Sequence, residues 1–384
     1  MMKPFALTHF SLAPGFDYPL EHALLIDSGR IAGWLPEAGL PPDMPVQDCG
    51  GDVLAAGFID IQVNGGGGVM FNDQPTPAGL DAIRRGHWSG GTTALLPTLI
   101  TDKAATMRRA VGAVAEALDT LPGILGIHLE GPHLNVQRKG VHAPTEIRPF
   151  DADTDALLKV LPADKYLLTL APELLPAGTI RALSQRGIRV SAGHTAATYA
   201  EIRAALDEGL GCFTHLYNAM TPMTSREPGV VGAALEDANS YCGIIIDGYH
   251  LHPTVAKLAI ASKARGKMVL VTDAMATVGS DDNTFTLYGE TIHEQDGRCA
   301  KVDGTLAGSA LDMAGAVRNC VHDLGIPLDE ALRMASQYPA EFLGIAGEYG
   351  QIKPGYRADL VLLDKHLQVR KTWVLGELCF ERMA

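Results

Sequence analysis

The chain has 384 residues, 47% of them hydrophobic and 20% charged, the balance of a water-soluble globular protein. A formal net charge of −13 argues against nucleic acid or an anionic membrane as the main partner, so any anionic substrate has to be held by a few local donors. The six cysteines form no C-x-x-C pair and no apolar run is long enough to span a bilayer, which points to a reduced, cytosolic protein without a cysteine metal site.

In chain order, the first signal is "HALLIDSGRIAGWLP" (22–36), two short apolar runs around Asp27-Ser28-Gly29, which predicts a β-hairpin. Eight apolar runs then recur, each ending in polar residues. They are 53–64 (VLAAGFIDIQVN), 92–98, 123–131, 166–173, 188–195, 211–218, 241–250 and 268–275. Continuous rather than alternating hydrophobicity is the pattern of strands buried on both faces. Between them lie helix-like segments such as 102–118, 196–209 and 253–266. Eight strand-then-helix units predict a (β/α)8 TIM barrel whose chemistry sits at the C-terminal ends of the strands. Helical segments after Ser309 should close it, and the strand-like C-terminus, "ADLVLLDKHLQVRKTWVLGELCFE", should pair with the N-terminus. The predicted organisation is a small β-sandwich domain from 1–52 and 353–384 around a catalytic barrel, 53–352.

The polar residues fall where a barrel site needs them. Glu130 ends one run in "HLEGP", His194 the run "SAGHT", and His215 the run "FTHLYN". One carboxylate and two imidazoles from strand ends can share a metal ion and leave a position open for water. Taken singly, each is also an ordinary polar cap. Asp273, in "LVTDAM", suits a general base beside a metal site and equally a helix N-cap. His142, Asn218, Arg226 and His250 form a second set of donors, with Arg226 in the loop "TPMTSREPGVVG" suited to phosphate or carboxylate, or simply to solvent. The four glycines 65–68 lack the lysine and spacing of a phosphate-binding loop, and His128 and His133 beside Glu130 read as structural.

Over nearly its whole length the sequence resembles the N-acetylglucosamine-6-phosphate deacetylase family of the amidohydrolase superfamily. The resemblance is carried by "GFIDIQVNG", "HLEGPHLN", "KGVHAP", "SAGHT", "THLYNAM", "GIIIDGYH", "VTDAM", "LAGS" and "IKPGYRADLVLLD". It implies a metal-dependent hydrolase that removes acetyl from a 2-acetamido sugar phosphate. Glu130, His194 and His215 would be metal ligands, Asp273 the base and then the acid, and His142 the group that polarises the acetyl carbonyl. Asn218, the Ala219 backbone, Arg226 and His250 would contact the sugar phosphate, and Leu306, Ala307 and Gly308 the acetyl end. Most of the superfamily carries His-x-His at the end of the first strand; here the two positions are Gln62 and Asn64. That departure implies one divalent ion per subunit, zinc first and iron or manganese next, with the amides kept as hydrogen-bonding groups. A homodimer is implied as well, in which Arg226 can serve the neighbouring subunit. The rival readings are the same reaction on N-acetylgalactosamine 6-phosphate, another amide substrate, and a phosphosugar-binding scaffold without catalysis.

Overall fold

The structure, a computed structural model, describes residues 3–13 and 21–383. Every one of the eight runs contributes a strand to one parallel sheet. The strands are β1 (Phe58–Val63), β2 (Thr92–Ile100), β3 (Ile127–Glu130), β4 (Tyr166–Leu170), β5 (Arg189–Ala192), β6 (Cys212–Phe213), β7 (Tyr241–Ile244) and β8 (Met268–Leu270), paired in chain order. All residues of β1 and β2 are buried, which is why the runs show no alternation. Past the end of β8 the chain returns to β1: the Asp273 N–H donates to the Gln62 carbonyl at 3.0 Å and the Asn64 N–H to the Ala274 carbonyl at 2.9 Å. The sheet closes into the predicted barrel through the very residues suspected of chemistry.

Helices fill the intervals. Ala104–Ala117, Tyr199–Asp207 and Pro253–Ser262 occupy the three segments expected to be helical, each shorter than its apolar pattern. Thr198 and Glu201 form a reciprocal capping box that sets where the second begins. Helices Met313–His322, Leu328–Ala335 and Gln337–Phe342 follow the last barrel strand, as the sequence implied.

The run 53–64 is not one strand. Val53–Ala56 pairs antiparallel with Leu360–Leu363, in a sheet with Val369–Val374 and Glu377–Glu381, and only Phe58–Val63 enters the barrel. Gly57 lies at the break, and only glycine fits there, because a Cβ would lie 2.2 Å from Thr93 Oγ1. A second sheet, Phe5–Thr8, His22–Asp27, Arg30–Pro36 and Val46–Asp48, contains the expected hairpin. The two sheets share one core of Leu7, Leu24, Ile26, Leu54, Leu360 and Trp373, which gives the predicted sandwich.

A four-stranded antiparallel sheet (Thr284–Leu287, Glu290–Gln295, Arg298–Ala300 and Leu306–Ser309) follows β8 and was not anticipated. Its signal is present but short: Phe285, Leu287 and Ile292 alternate with polar residues around Tyr288-Gly289, and they are buried together with Cys299 and Ala307. The Tyr249 hydroxyl donates to the Asp296 carbonyl at 2.7 Å and ties this sheet to the loop after β7.

At the β1/β8 seam Asp60 is fully buried and accepts hydrogen bonds from the Gln62 N–H at 3.1 Å and the Thr272 hydroxyl. Burial pushes its carboxyl up to about 7 against these donors. A folded-state value above the unfolded one contributes stability that is complete below about pH 4 and lost as the pH rises through about 7. Asp60→Asn cannot titrate. Relative to the wild type, its unfolding free energy should therefore gain about 3 kcal/mol between about pH 5 and pH 8, measured by urea denaturation.

Candidate metal centre and pocket

Glu130 is the last residue of β3, His194 lies two residues beyond β5, and His215 two beyond β6. Their functional atoms meet at one point. Glu130 Oε1 is 3.1 Å from His194 Nε2 and 2.9 Å from His215 Nε2, and the two nitrogens are 3.0 Å apart. All three side chains are buried. The backbone bends sharply to aim them: His194, His215, Ala219 and Asp273 have φ of 50°, 32°, 52° and 54°, left-handed values that a non-glycine residue adopts only when its surroundings impose them.

The donor set fits a cation. His194 Nδ1 lies 2.8 Å from the Arg138 carbonyl, which can only accept, so Nδ1 carries a hydrogen and it is Nε2 that a neutral ring would turn bare toward Glu130. Acceptor then faces acceptor at hydrogen-bond distance, an arrangement that a shared positive ion resolves. Burial works to raise the Glu130 carboxyl, but hydrogen bonds and positive charge from the two imidazoles, whose protons a bound cation would replace, hold it well below the usual carboxylate range. Carboxylate and imidazole ligands at this spacing suit a divalent ion, with zinc, iron and manganese all compatible.

Three groups surround that point. Gln62 Nε2 and Asn64 Nδ2 both donate to Asp273 Oδ1, at 3.1 Å and 2.6 Å, and Gln62 also reaches Glu130 Oε2 at 3.4 Å. The amides at the end of β1 thus fix the carboxylate and leave its other oxygen available. Burial, then the neighbouring Glu130 charge, raises the Asp273 carboxyl above its ordinary range. His142 is oriented from behind: the Thr101 N–H donates to its Nδ1 at 3.3 Å, so the neutral ring carries its hydrogen on Nε2. Burial and then His194 keep this imidazole well below its usual basicity, so it is a neutral donor. His250 is held by Asp247 through a 2.6 Å contact from Nδ1 to Oδ2.

A cavity of about 280 Å3 opens over these residues, lined by Glu130, His142, His194, His215, Asn218, Ala219, His250 and Asp273. Asn64, Leu306 and Gly308 also line it, and Ile100, Val141 and Met275 make an apolar side. Ala307 is fully buried between its neighbours and faces the core of the inserted sheet. Arg226 is exposed on its loop, away from this cavity. The glycines 65–68 do not line it either; Gly65–Gly66 pairs with Val69–Met70 in a tight turn. Thr101, Asp247 and Met275 were missed in the sequence. Asp247 had a readable signal, an acid three residues before His250 in "IDGYH", and Met275 closes "VTDAM", whereas Thr101 carries no motif.

A barrel with three converging metal-type side chains, a buried carboxylate beside them and an imidazole donor is an arrangement suited to metal-assisted hydrolysis. Residues 53–379 match the amidohydrolase family, and the chain belongs to that family. It is 43% identical over 365 residues to the N-acetylgalactosamine-6-phosphate deacetylase of Shewanella sp. (strain ANA-3), covering 94% of this chain and 92% of that one. The N-acetylglucosamine-6-phosphate deacetylase of Haemophilus influenzae is 36% identical over 387 residues, with 97% and 98% covered. Among solved structures, N-acetylglucosamine-6-phosphate deacetylase from Pasteurella multocida superposes with a TM-score of 0.92 at 37% identity, covering 98% of this chain and 99% of that one.

Replacing Glu130 with Gln removes the one anionic member of the cluster without changing its shape. Divalent-ion content after dialysis, measured by elemental analysis, should fall from about one per chain to below about a tenth of that, while circular dichroism stays unchanged.

Proposed function

We propose that the protein hydrolyses the acetamide of N-acetylglucosamine 6-phosphate to glucosamine 6-phosphate and acetate. The observation that carries this reading is the convergence of Glu130, His194 and His215 on one point within reach of Asp273 and His142, under a cavity of about 280 Å3. The names of the relatives support the substrate class.

Glu130, His194 and His215 would hold one divalent ion, zinc in the first instance. When bound, that ion supplies Lewis-acid polarisation and makes water a nucleophile near neutral pH. Asp273, with Oδ1 anchored by Gln62 and Asn64, takes a proton from the attacking water with Oδ2. The His142 Nε2–H points its dipole at the carbonyl oxygen as negative charge builds there. Asp273 then returns the proton to the sugar nitrogen, the C–N bond breaks, and acetate and the free amine leave. His250, oriented by Asp247, binds the sugar phosphate with Asn218 and the Ala219 backbone. Leu306 and Gly308, with Ala307 behind them, bound the acetyl end. Arg226, exposed in its own chain, contributes across a homodimer interface to the partner's phosphate site. We place the enzyme in the cytosol.

The same chemistry on N-acetylgalactosamine 6-phosphate is a second reading, favoured by the 43% identity to a relative of that name. The epimers differ at one hydroxyl, which a single donor in the pocket can distinguish. A scaffold without catalysis is disfavoured, because binding alone does not need a metal triad and a buried base together.

Acetate release from the two phosphorylated sugars, with unphosphorylated N-acetylglucosamine as control, tests the proposal. Rapid phosphate-dependent release from the glucosamine derivative supports it, faster release from the galactosamine derivative selects the second reading, and no release with zinc, iron or manganese overturns both. Asp273→Asn should lower kcat by about a hundred- to ten-thousandfold while the protein still binds its ion. Because Asp273 must be ionised to act and its carboxyl is raised, kcat/KM should fall with decreasing pH at a value above the ordinary aspartate range.

A further inference from the structure

His128, two residues before Glu130, has no part in the chemistry above, yet it sits at the centre of a buried polar chain. Its Nδ1 is 3.2 Å from Thr98 Oγ1 and its Nε2 2.7 Å from Thr169 Oγ1. Thr169 Oγ1 continues to Thr214 Oγ1 at 2.7 Å, and Thr214 Oγ1 to Ser191 Oγ at 2.6 Å. At the other end Thr98 Oγ1 accepts the Val63 N–H at 2.9 Å. Thr98, His128, Thr169 and Ser191 are at most 1% exposed, and Thr214 is 4% exposed.

The chain crosses the barrel interior one level below the metal centre. It joins β1 through Val63 to β2, β3, β4 and β5, and to Thr214 directly after β6. Barrel interiors are normally packed with branched apolar side chains, so a continuous polar level is a departure with a cost unless every member is partnered. Each link here is partnered. Its members stand next to the ligands along the chain: His128 is two residues before Glu130, Thr214 immediately precedes His215, and Ser191 is three residues before His194. The backbone offers least where the chain is most needed. β6, which delivers His215, has only two residues and two register pairs with each neighbouring strand. The Thr169–Thr214 bond passes over β5 and ties the end of β6 straight to β4.

We propose that the chain Thr98–His128–Thr169–Thr214–Ser191 is a positioning element that sets the height and direction from which Glu130, His194 and His215 reach a shared metal ion, with His128 as its central link. The inference rests on the reading of those three residues as ligands. Hydrogen-bond energy falls steeply with distance and angle, so a bonded row of side chains resists the sliding of strands that would spread the ligands. An apolar layer of equal volume would fill the space without specifying it.

Thr169→Val removes the hydroxyl that joins two links and keeps the side-chain shape; Thr169→Ser keeps the hydroxyl and drops a methyl. His128→Leu removes the centre. Zinc dissociation constants of the purified proteins, measured by chelator competition, read the effect without any turnover. Thr169→Val and His128→Leu should weaken zinc binding by about ten- to hundredfold, and Thr169→Ser should stay within a few-fold of the wild type. If Thr169→Val binds zinc within about twofold of the wild type and only its Tm falls, the chain is packing alone and the proposal is overturned. Should His128→Leu fail to fold, the Thr169 pair decides by the same criterion. A wild type that binds no divalent ion overturns the proposal together with the ligand assignment, whereas the identity of the sugar phosphate does not affect this measurement.

Discussion

A carboxylate oxygen and two imidazole nitrogens meet about 3 Å apart inside this protein, and the rest of the molecule is arranged to keep them there. Glu130, His194 and His215 come from three separate strand ends and are aimed by left-handed backbone at the two histidines. Such geometry is unfavourable on its own terms. The closed barrel leaves the strand ends no freedom to part, and a cation held at the shared point would turn repulsion into attraction.

The neighbouring groups follow from that constraint. The end of β1 carries Gln62 and Asn64 in place of charged or imidazole groups. Amides bring donors instead, and both point at Asp273 Oδ1. A buried carboxylate beside Glu130 would otherwise face a like charge, so the amides stabilise it while burial keeps its proton affinity high. His142 shows the same economy of charge: the Thr101 N–H occupies one ring nitrogen, and burial keeps the ring neutral with its hydrogen on the other. The resulting site is a polar centre built largely from neutral donors in a chain whose net charge is −13.

Legibility varied with how local the cause was. The eight barrel strands were readable because burial on both faces removes alternation from the sequence, and each strand end carries its polar residue one step further on. Glu130, His194, His215 and Asp273 were singled out as candidates by that placement, and the roles expected of them came from the family resemblance. The split at Gly57 was not readable, since it follows from Val53–Ala56 pairing with Leu360–Leu363, about three hundred residues away, while Phe58–Val63 pairs in the barrel. The inserted sheet of 284–309 was missed because its strands are short and its alternation brief. The polar chain through His128 was equally hidden: a threonine or serine in an apolar strand carries no sign of the hydroxyl it will meet across the barrel.

The sequence by itself determined the fold class, the family and the set of residue types available for metal chemistry, because these depend on periodicity and on motifs carried within single segments. Only the tertiary structure decided which nitrogen of each histidine faces the centre, which oxygen of Asp273 is left for water, and that Ala307 turns away while its neighbours line the cavity. Those outcomes depend on contacts between residues up to about two hundred positions apart, such as Asn64 with Asp273. A hydrogen bond has a direction, and direction exists only once the strands have been closed into a barrel.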